Sequence, residues 1–183
     1  MNSESKRIQQ TAVLYNQLIN FFWSMLAFIP VVYFCYQYLP LKLLYIFIGI
    51  SCMVILLPTA WLNKIQLSKS TRLYQQIGIR FVKKYTQDGD LVNRLIKKQH
   101  SQYKYVEGMQ SFKKLISKSY MNERFHYLAF VFFVCSMVYA FILGLIGWGF
   151  FLLVANIIYN VYPIFLQQYN RIRINYLIKR QSS

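Results

Sequence analysis

The sequence predicts an all-α integral membrane protein with four transmembrane helices in two hairpins and a helical amphipathic cytoplasmic segment between them. Three observations carry that expectation. Of 183 residues, 56% are hydrophobic and 19% aromatic, more apolar than a soluble domain of this size. The apolar residues gather in runs able to cross a hydrocarbon core about 30 Å thick, which takes roughly 20 helical residues. The charge is one-sided, 21 Lys+Arg against 5 Asp+Glu for a formal net charge of +16. One domain, 1–183, is the default at this length. Seven Gly and four Pro exclude collagen-like and low-complexity chains, and the hydrophobicity excludes a basic disordered tail.

The first span, 18–39, follows a polar segment and has no small-residue cleavage site after it, so it is read as retained rather than as a removed signal peptide. Pro40-Leu41-Lys42 marks a turn into a second span, 43–62. A third run from Tyr127 to Leu166 has no charged residue and is interrupted by Gly144, Gly147 and Gly149. It divides into spans 127–144 and 147–167 joined by a tight turn. Lys and Arg are distributed as two before the first span, one (Lys42) between spans one and two, fourteen between spans two and three, and four after the last. The positive-inside rule then places a multi-pass protein in the cell membrane with both termini and the 64–125 segment in the cytoplasm.

Within that segment, 67–85 alternates Leu73, Ile77 and Phe81 with Arg72, Arg80, Lys83 and Lys84. This is the pattern of a basic amphipathic helix lying on an anionic leaflet; a solvated charged face is the alternative. Thr86-Gln87-Asp88-Gly89-Asp90 is a turn signal, with Gly89 available for positive φ and Asp90 as the cap of a following helix. From Leu91 to Tyr120 the pattern fits one or two helices broken near Gly108.

Several function classes fall away. Cys35, Cys52 and Cys135 lie inside apolar runs without CxxC spacing and read as packing residues. There is no zinc or haem pattern, no GxGxxG, no P-loop and no nucleophile elbow, so no metal is called for. The basic residues flank spans and lack a nucleic-acid fold signature, so nucleic acid is not an expected partner. The two hairpins share no motif, which argues against an inverted-repeat transporter. Pro30, Pro58 and Pro163 each suggest a kink.

Polar residues inside apolar runs are the pointers to function, because each must find a partner away from water. Asn156, Asn160, Pro163 and Gln167 fall at i, i+4, i+7 and i+11 on one helical face, with Asn170 and Arg171 one turn on. Such a stripe can line a cavity between spans three and four that opens to the cytoplasm, or it can join helices by hydrogen bonds. At the start of span three, Glu123 and His126 are i, i+3 neighbours. A carboxylate that fixes the tautomer of an imidazole makes a general base; a boundary histidine beside a Glu123–Arg124 pair is the alternative. His100 lies in a polar stretch and reads as exposed.

Three blocks carry a resemblance: Tyr74-Gln75-Gln76-Ile77-Gly78-Ile79-Arg80-Phe81-Val82-Lys83-Lys84-Tyr85 with Asp88-Gly89-Asp90; Glu123-Arg124-Phe125-His126; and Asn160-Val161-Tyr162-Pro163-Ile164-Phe165-Leu166-Gln167-Gln168-Tyr169-Asn170-Arg171-Ile172-Arg173. In these, over about its C-terminal two thirds, the chain resembles the glycosyl-4,4'-diaponeurosporenoate acyltransferases of staphyloxanthin-type carotenoid synthesis. Gln168 stands where the family usually has Arg, and Tyr127 where Trp is frequent. The resemblance implies a membrane-bound O-acyltransferase that esterifies a sugar hydroxyl of a glycosyl-carotenoid-like lipid with a fatty acyl group. It implies His126 as base and Glu123 as its orienter, and Asn160 or Gln167 as hydrogen-bond donor to the oxyanion. Asn156, Tyr169 and Asn170 join the substrate-binding set, and Arg80, Lys83, Arg171 and Arg173 bind phosphates of an acyl-CoA or acyl carrier protein donor, or lipid headgroups. No cofactor beyond that donor is implied; the partners are membrane lipids and the lipid-like substrate. The competing expectation is a non-catalytic membrane protein that binds anionic lipid or scaffolds a partner enzyme through the same basic layer.

Overall fold

The computed structural model describes residues 3–100 and 108–181, so residues 101–107, part of the stretch expected to hold one or two helices, lie outside the described residues. The described chain is all helical: α1 (Ser3–Tyr38), α2 (Leu41–Cys52) continued by a 3-10 turn (Met53–Leu56), α3 (Thr59–Lys64), α4 (Thr71–Gln76), α5 (Ile79–Lys84), α6 (Asp90–Gln99), α7 (Gly108–Ile142), α8 (Ile146–Asn156), a π segment (Ile157–Val161) and α9 (Tyr162–Gln181). α8, the π segment and α9 run on as one rod.

Among the described residues three helices, not the expected four, are long and apolar enough to cross a membrane: Arg7–Tyr38, Ser111–Ile142 and Ile146–Arg180. The second apolar run is a shorter helix, Leu41–Leu56, of about 26 Å by its α and 3-10 rises. Pro58 cuts it short. Proline lacks an N–H and pushes the preceding residue out of the helical region, and Leu57 is accordingly extended at φ −64°, ψ 125°. The freed Leu57 carbonyl accepts from Arg124 Nε and Nη2, both at 3.3 Å, while Nη2 also donates to Thr59 Oγ1 at 3.0 Å. Arg124 therefore serves this break instead of pairing with Glu123.

The two turns between apolar runs fall where expected. α1 ends before Pro40, and α7 turns into α8 over residues 143–145, where Gly144 takes φ +74°. Gly149 lets α8 close on α7, since a Cβ there would lie 2.3 Å from the Phe141 ring. Val31, Phe34 and Cys35 of α1, with Leu39 just after it, pack with Phe133 and Ala140 of α7 and Leu152 of α8. Outside that core, Phe21, Phe22, Leu26, Ile29, Val32, Leu56, Phe150 and Val154 are exposed. Apolar surface of that extent is costly in water and is compatible with a multi-pass membrane protein.

The 67–85 segment is two short helices rather than one. Gly78 breaks it at φ +84°, a left-handed conformation that glycine adopts without a Cβ penalty. Leu73 and Phe81 are exposed; the residues buried against Leu166 and Tyr169 of α9 are Tyr74 and Ile79. In the following turn Asp88, not Gly89, takes positive φ (58°). Gly89 is needed for space, because a Cβ would stand 2.1 Å from the Lys83 carbonyl oxygen. The turn is fixed on both sides. Asn16 of α1 donates Nδ2 to Asp88 Oδ1 at 2.8 Å and accepts the Asp88 N–H at 2.6 Å, and Lys118 of α7 pairs with Asp88 Oδ2 at 2.6 Å. α4–α6 are thus held at one end of the three long helices, together with the N-terminal half of α7.

Candidate functional site

Pro163 has no N–H to give the Tyr159 carbonyl four residues earlier, and the helix widens into the π segment at that point. A π segment inserts one residue into the helical count and rotates everything after it. The expected polar stripe changes phase there: Asn156 and Asn160 are buried as expected, but Gln168 and Arg171 continue the buried face, while Gln167 and Asn170 are half-buried. The side chains of Glu123, Gln168 and Arg171 meet between α7 and α9, where the polar stripe was expected to line a cavity open to the cytoplasm.

Glu123 (0% exposed) and Arg171 (2% exposed) form a buried ion pair between α7 and α9. The other carboxylate oxygen, Oε1, accepts from Gln168 Nε2 at 2.8 Å, and Gln168 Oε1 accepts from Tyr74 Oη at 2.9 Å and from the Leu67 N–H at 3.2 Å. Arg171 Nη1 also reaches Ser119 Oγ at 3.4 Å, and its guanidinium lies 4.2 Å from the Tyr120 ring centroid. Ser119 in turn donates to the Gln167 carbonyl at 3.0 Å, so Gln167 contributes backbone rather than its amide. Both oxygens of Glu123 are occupied, and neither bonds His126. The network ties α4 to α7 and α9, and its central residue is Gln168. The signal for it in the sequence is the spacing Asn160, Ile164, Gln168, Arg171 read after a proline-induced slip.

His126 faces a different set of groups. Its ring meets Tyr159 edge-on at 5.7 Å between centroids, and the Asn160 side chain and Tyr159 backbone are the polar groups that act on it. Among the described residues, three buried polar side-chain atoms have no hydrogen-bond partner: His126 Nδ1, Asn160 Oδ1 and Arg171 Nη2. Asn160 Nδ2 is used by Asn156 Oδ1 at 2.7 Å, and Asn156 Nδ2 by the Phe130 carbonyl at 3.2 Å. Unpartnered buried polar atoms are rare in folded proteins, and two of the three meet at one place, where α7 crosses the π segment. Tyr159 connects that place to an apolar groove of about 440 Å³ on α1, lined by Met25, Phe28, Ile29, Val32, Tyr33 and Tyr36. Phe28 stands 5.3 Å from the Tyr159 ring, and the Tyr159 hydroxyl bonds Ser24 Oγ at 3.0 Å.

A second, basic cleft of about 430 Å³ opens where α4 and α5 meet α9, lined by Thr71, Gln75, Arg80, Lys83, Lys84, Asp90, Tyr169 and Arg173. It brings Arg80, Lys83, Lys84, Tyr169 and Arg173 together. It does not include Arg171, whose charge is spent on Glu123. His100, at the end of α6, is half-buried. No group of three or more His, Cys, Asp or Glu side chains that could hold a metal occurs among the described residues.

Residues 58–180 match the family model described as glycosyl-4,4'-diaponeurosporenoate acyltransferase. No curated protein and no solved structure matches the chain. The matched region starts at the Pro58 break and takes in the buried ion pair, His126, the π segment and the basic cleft.

Proposed function

The chain belongs to the glycosyl-4,4'-diaponeurosporenoate acyltransferase family, and on that premise we propose that it esterifies a hydroxyl of a glycosylated, carotenoid-like lipid with a fatty acyl group at the cytoplasmic surface of the cell membrane. The observation that carries this reading is the unpartnered pair His126 Nδ1 and Asn160 Oδ1, buried beside an apolar groove. Neither residue lines the groove and Asn160 is fully buried, so a sugar reaches the pair only when α7 and the π segment part; two neighbouring hydroxyls of one ring then donate one to each atom. The apolar groove on α1 takes the hydrocarbon of the substrate.

In the reaction, His126 accepts the proton of the attacking hydroxyl as its oxygen bonds the thioester carbonyl carbon. The carbon–sulfur bond then breaks, and the proton passes to the departing thiolate. Asn160 holds the acceptor sugar through Oδ1, since its Nδ2 is already committed to Asn156. Glu123 clamps α7 to α9 through Arg171 and Gln168, and so fixes the turn of α7 that carries His126; it positions the base from a distance. The membrane setting, with the basic end of the bundle inside, follows the positive-inside distribution of Lys and Arg.

The test is mass spectrometry of lipid and pigment extracts from cells that express the protein, lack it, or express His126→Ala. The expected result is an acylated glycolipid or glycosyl-carotenoid present only with the wild type, with turnover in the variant down by about 10²–10⁴-fold at normal membrane insertion. The alternative, a non-catalytic protein binding anionic lipid, draws on the basic cleft; it expects unchanged extracts and full tolerance of His126→Ala.

A further inference from the structure

We infer that the basic cleft between α4, α5 and α9 binds the phosphates of a coenzyme A thioester, whose pantetheine arm reaches along α9 to the His126–Asn160 site. The inference rests on the acyl-transfer reading above and names the donor. Four cations, Arg80, Lys83, Lys84 and Arg173, line one concave space with a single carboxylate, Asp90. Lys83 meets Asp90 at 3.5 Å, and Arg80, Lys84 and Arg173 make no ion pair among the described residues. Arg173 is oriented by its neighbour one turn earlier, its guanidinium lying 5.6 Å from the Tyr169 ring. Concentrated positive charge of this kind is the setting for charge-assisted bonds to several phosphates at once.

Distance selects among phosphate-bearing donors. Asn160, beside His126, and the cleft residues Tyr169 and Arg173 lie on one rod, separated by nine and thirteen residues. At the rise of an α-helix that is about 14 and 20 Å. In a phospholipid the acyl carbonyl sits only a few bonds from the phosphate and cannot span that gap. A pantetheine arm between diphosphate and thioester can. An acyl carrier protein offers the same arm but one phosphate, which would leave most of the cations of the cleft without a partner.

The experiment is calorimetric titration of the full chain in nanodiscs of zwitterionic phosphatidylcholine, with coenzyme A and with 4'-phosphopantetheine. The expected result is salt-sensitive binding of coenzyme A and much weaker binding of 4'-phosphopantetheine. Each guanidinium lost from the pair Arg80→Gln and Arg173→Gln should weaken coenzyme A by about tenfold. These side chains are exposed, so the variants fold, and Asp90→Asn, which removes the opposing carboxylate, should tighten binding. Equal affinity for the two ligands overturns the inference, as does indifference to these substitutions. Anionic phosphatidylglycerol discs give the other arm: lipid that occupies the cleft and excludes coenzyme A assigns it to headgroups. If coenzyme A binds through Arg80 and Arg173 but no acyl group is ever transferred, the acyl-transfer reading falls and the cleft stands. If transfer persists in the double variant with an unchanged KM for acyl-CoA, the cleft falls and acyl transfer stands.

Discussion

Replacing Glu123 by Gln tests the mechanical account of this protein most directly. In the native structure Glu123 and Arg171 are both excluded from solvent and joined between α7 and α9, so little of their attraction is lost to water. With the carboxylate gone, Arg171 keeps only Ser119 Oγ at 3.4 Å and the Tyr120 ring, and Gln168 Nε2 faces a weaker acceptor. Breaking a buried pair by removing one partner typically costs about 3–5 kcal/mol, because a charge is left buried without compensation. Replacing both partners by apolar residues of similar volume is often close to neutral. Glu123→Gln should therefore lose about 3–5 kcal/mol, whereas the double replacement Glu123→Met with Arg171→Leu should recover most of that loss. The assay is reversible unfolding in mixed micelles, followed by circular dichroism, of Glu123→Gln and of the double-mutant cycle made by wild type, Glu123→Met, Arg171→Leu and the double replacement. A loss of under about 1 kcal/mol in the single variant would refute the clamp, as would a double variant that costs the sum of the two singles.

Two further outcomes test neighbouring features. Burial, opposed by the hydrogen bond with Ser68, holds the Tyr74 phenol above its ordinary value. The folded protein therefore keeps that proton at pH values where the unfolded chain, with a phenol near 10, has released it, and the stability this contributes is complete below pH 10 and declines above it. Tyr74→Phe should remove part of the alkaline loss in a pH series of unfolding midpoints, and should cost about 1–3 kcal/mol at neutral pH by leaving Gln168 Oε1 short of a donor. At the π segment, Pro163→Ala restores the N–H that the Tyr159 carbonyl lacks. It should favour a regular helix through 157–165, turn Asn160 away from His126, and cut transfer by about tenfold or more with insertion and helicity intact; a variant with full activity would detach the π segment from the site.

Sequence and structure part at three places. Leu73, Ile77 and Phe81 read as one amphipathic face, yet the buried residues are Tyr74 and Ile79, because Gly78 splits the segment and resets its phase. Asn156 and Asn160 are legible as inward polar residues, but a strict 3.6-residue count leads to Gln167 and Asn170 rather than Gln168, because it does not anticipate the extra residue of a π segment. Glu123 is paired by local spacing with its near neighbour His126. Its partners instead lie 45 and 48 residues away, on α9, a distance no local spacing rule covers.

What the sequence by itself determined is what depends on composition and local chain chemistry. Apolar runs made long helices because hydrocarbon-length stretches can satisfy their backbone only within themselves. Pro40, Pro58 and Gly144 set ends and turns through their own backbone limits, and the sum of Lys and Arg set the basic character. Tertiary structure alone decided which polar groups meet: that Tyr74, Gln168, Glu123 and Arg171 share one buried network, that His126 and Asn160 each keep a buried polar atom without a hydrogen-bond partner near an apolar groove, and that Arg80, Lys83, Lys84 and Arg173 converge on one cleft. Those pairings depend on the rotation and axial offset of whole helices against one another, quantities fixed by packing summed over many residues, and no window of sequence contains them.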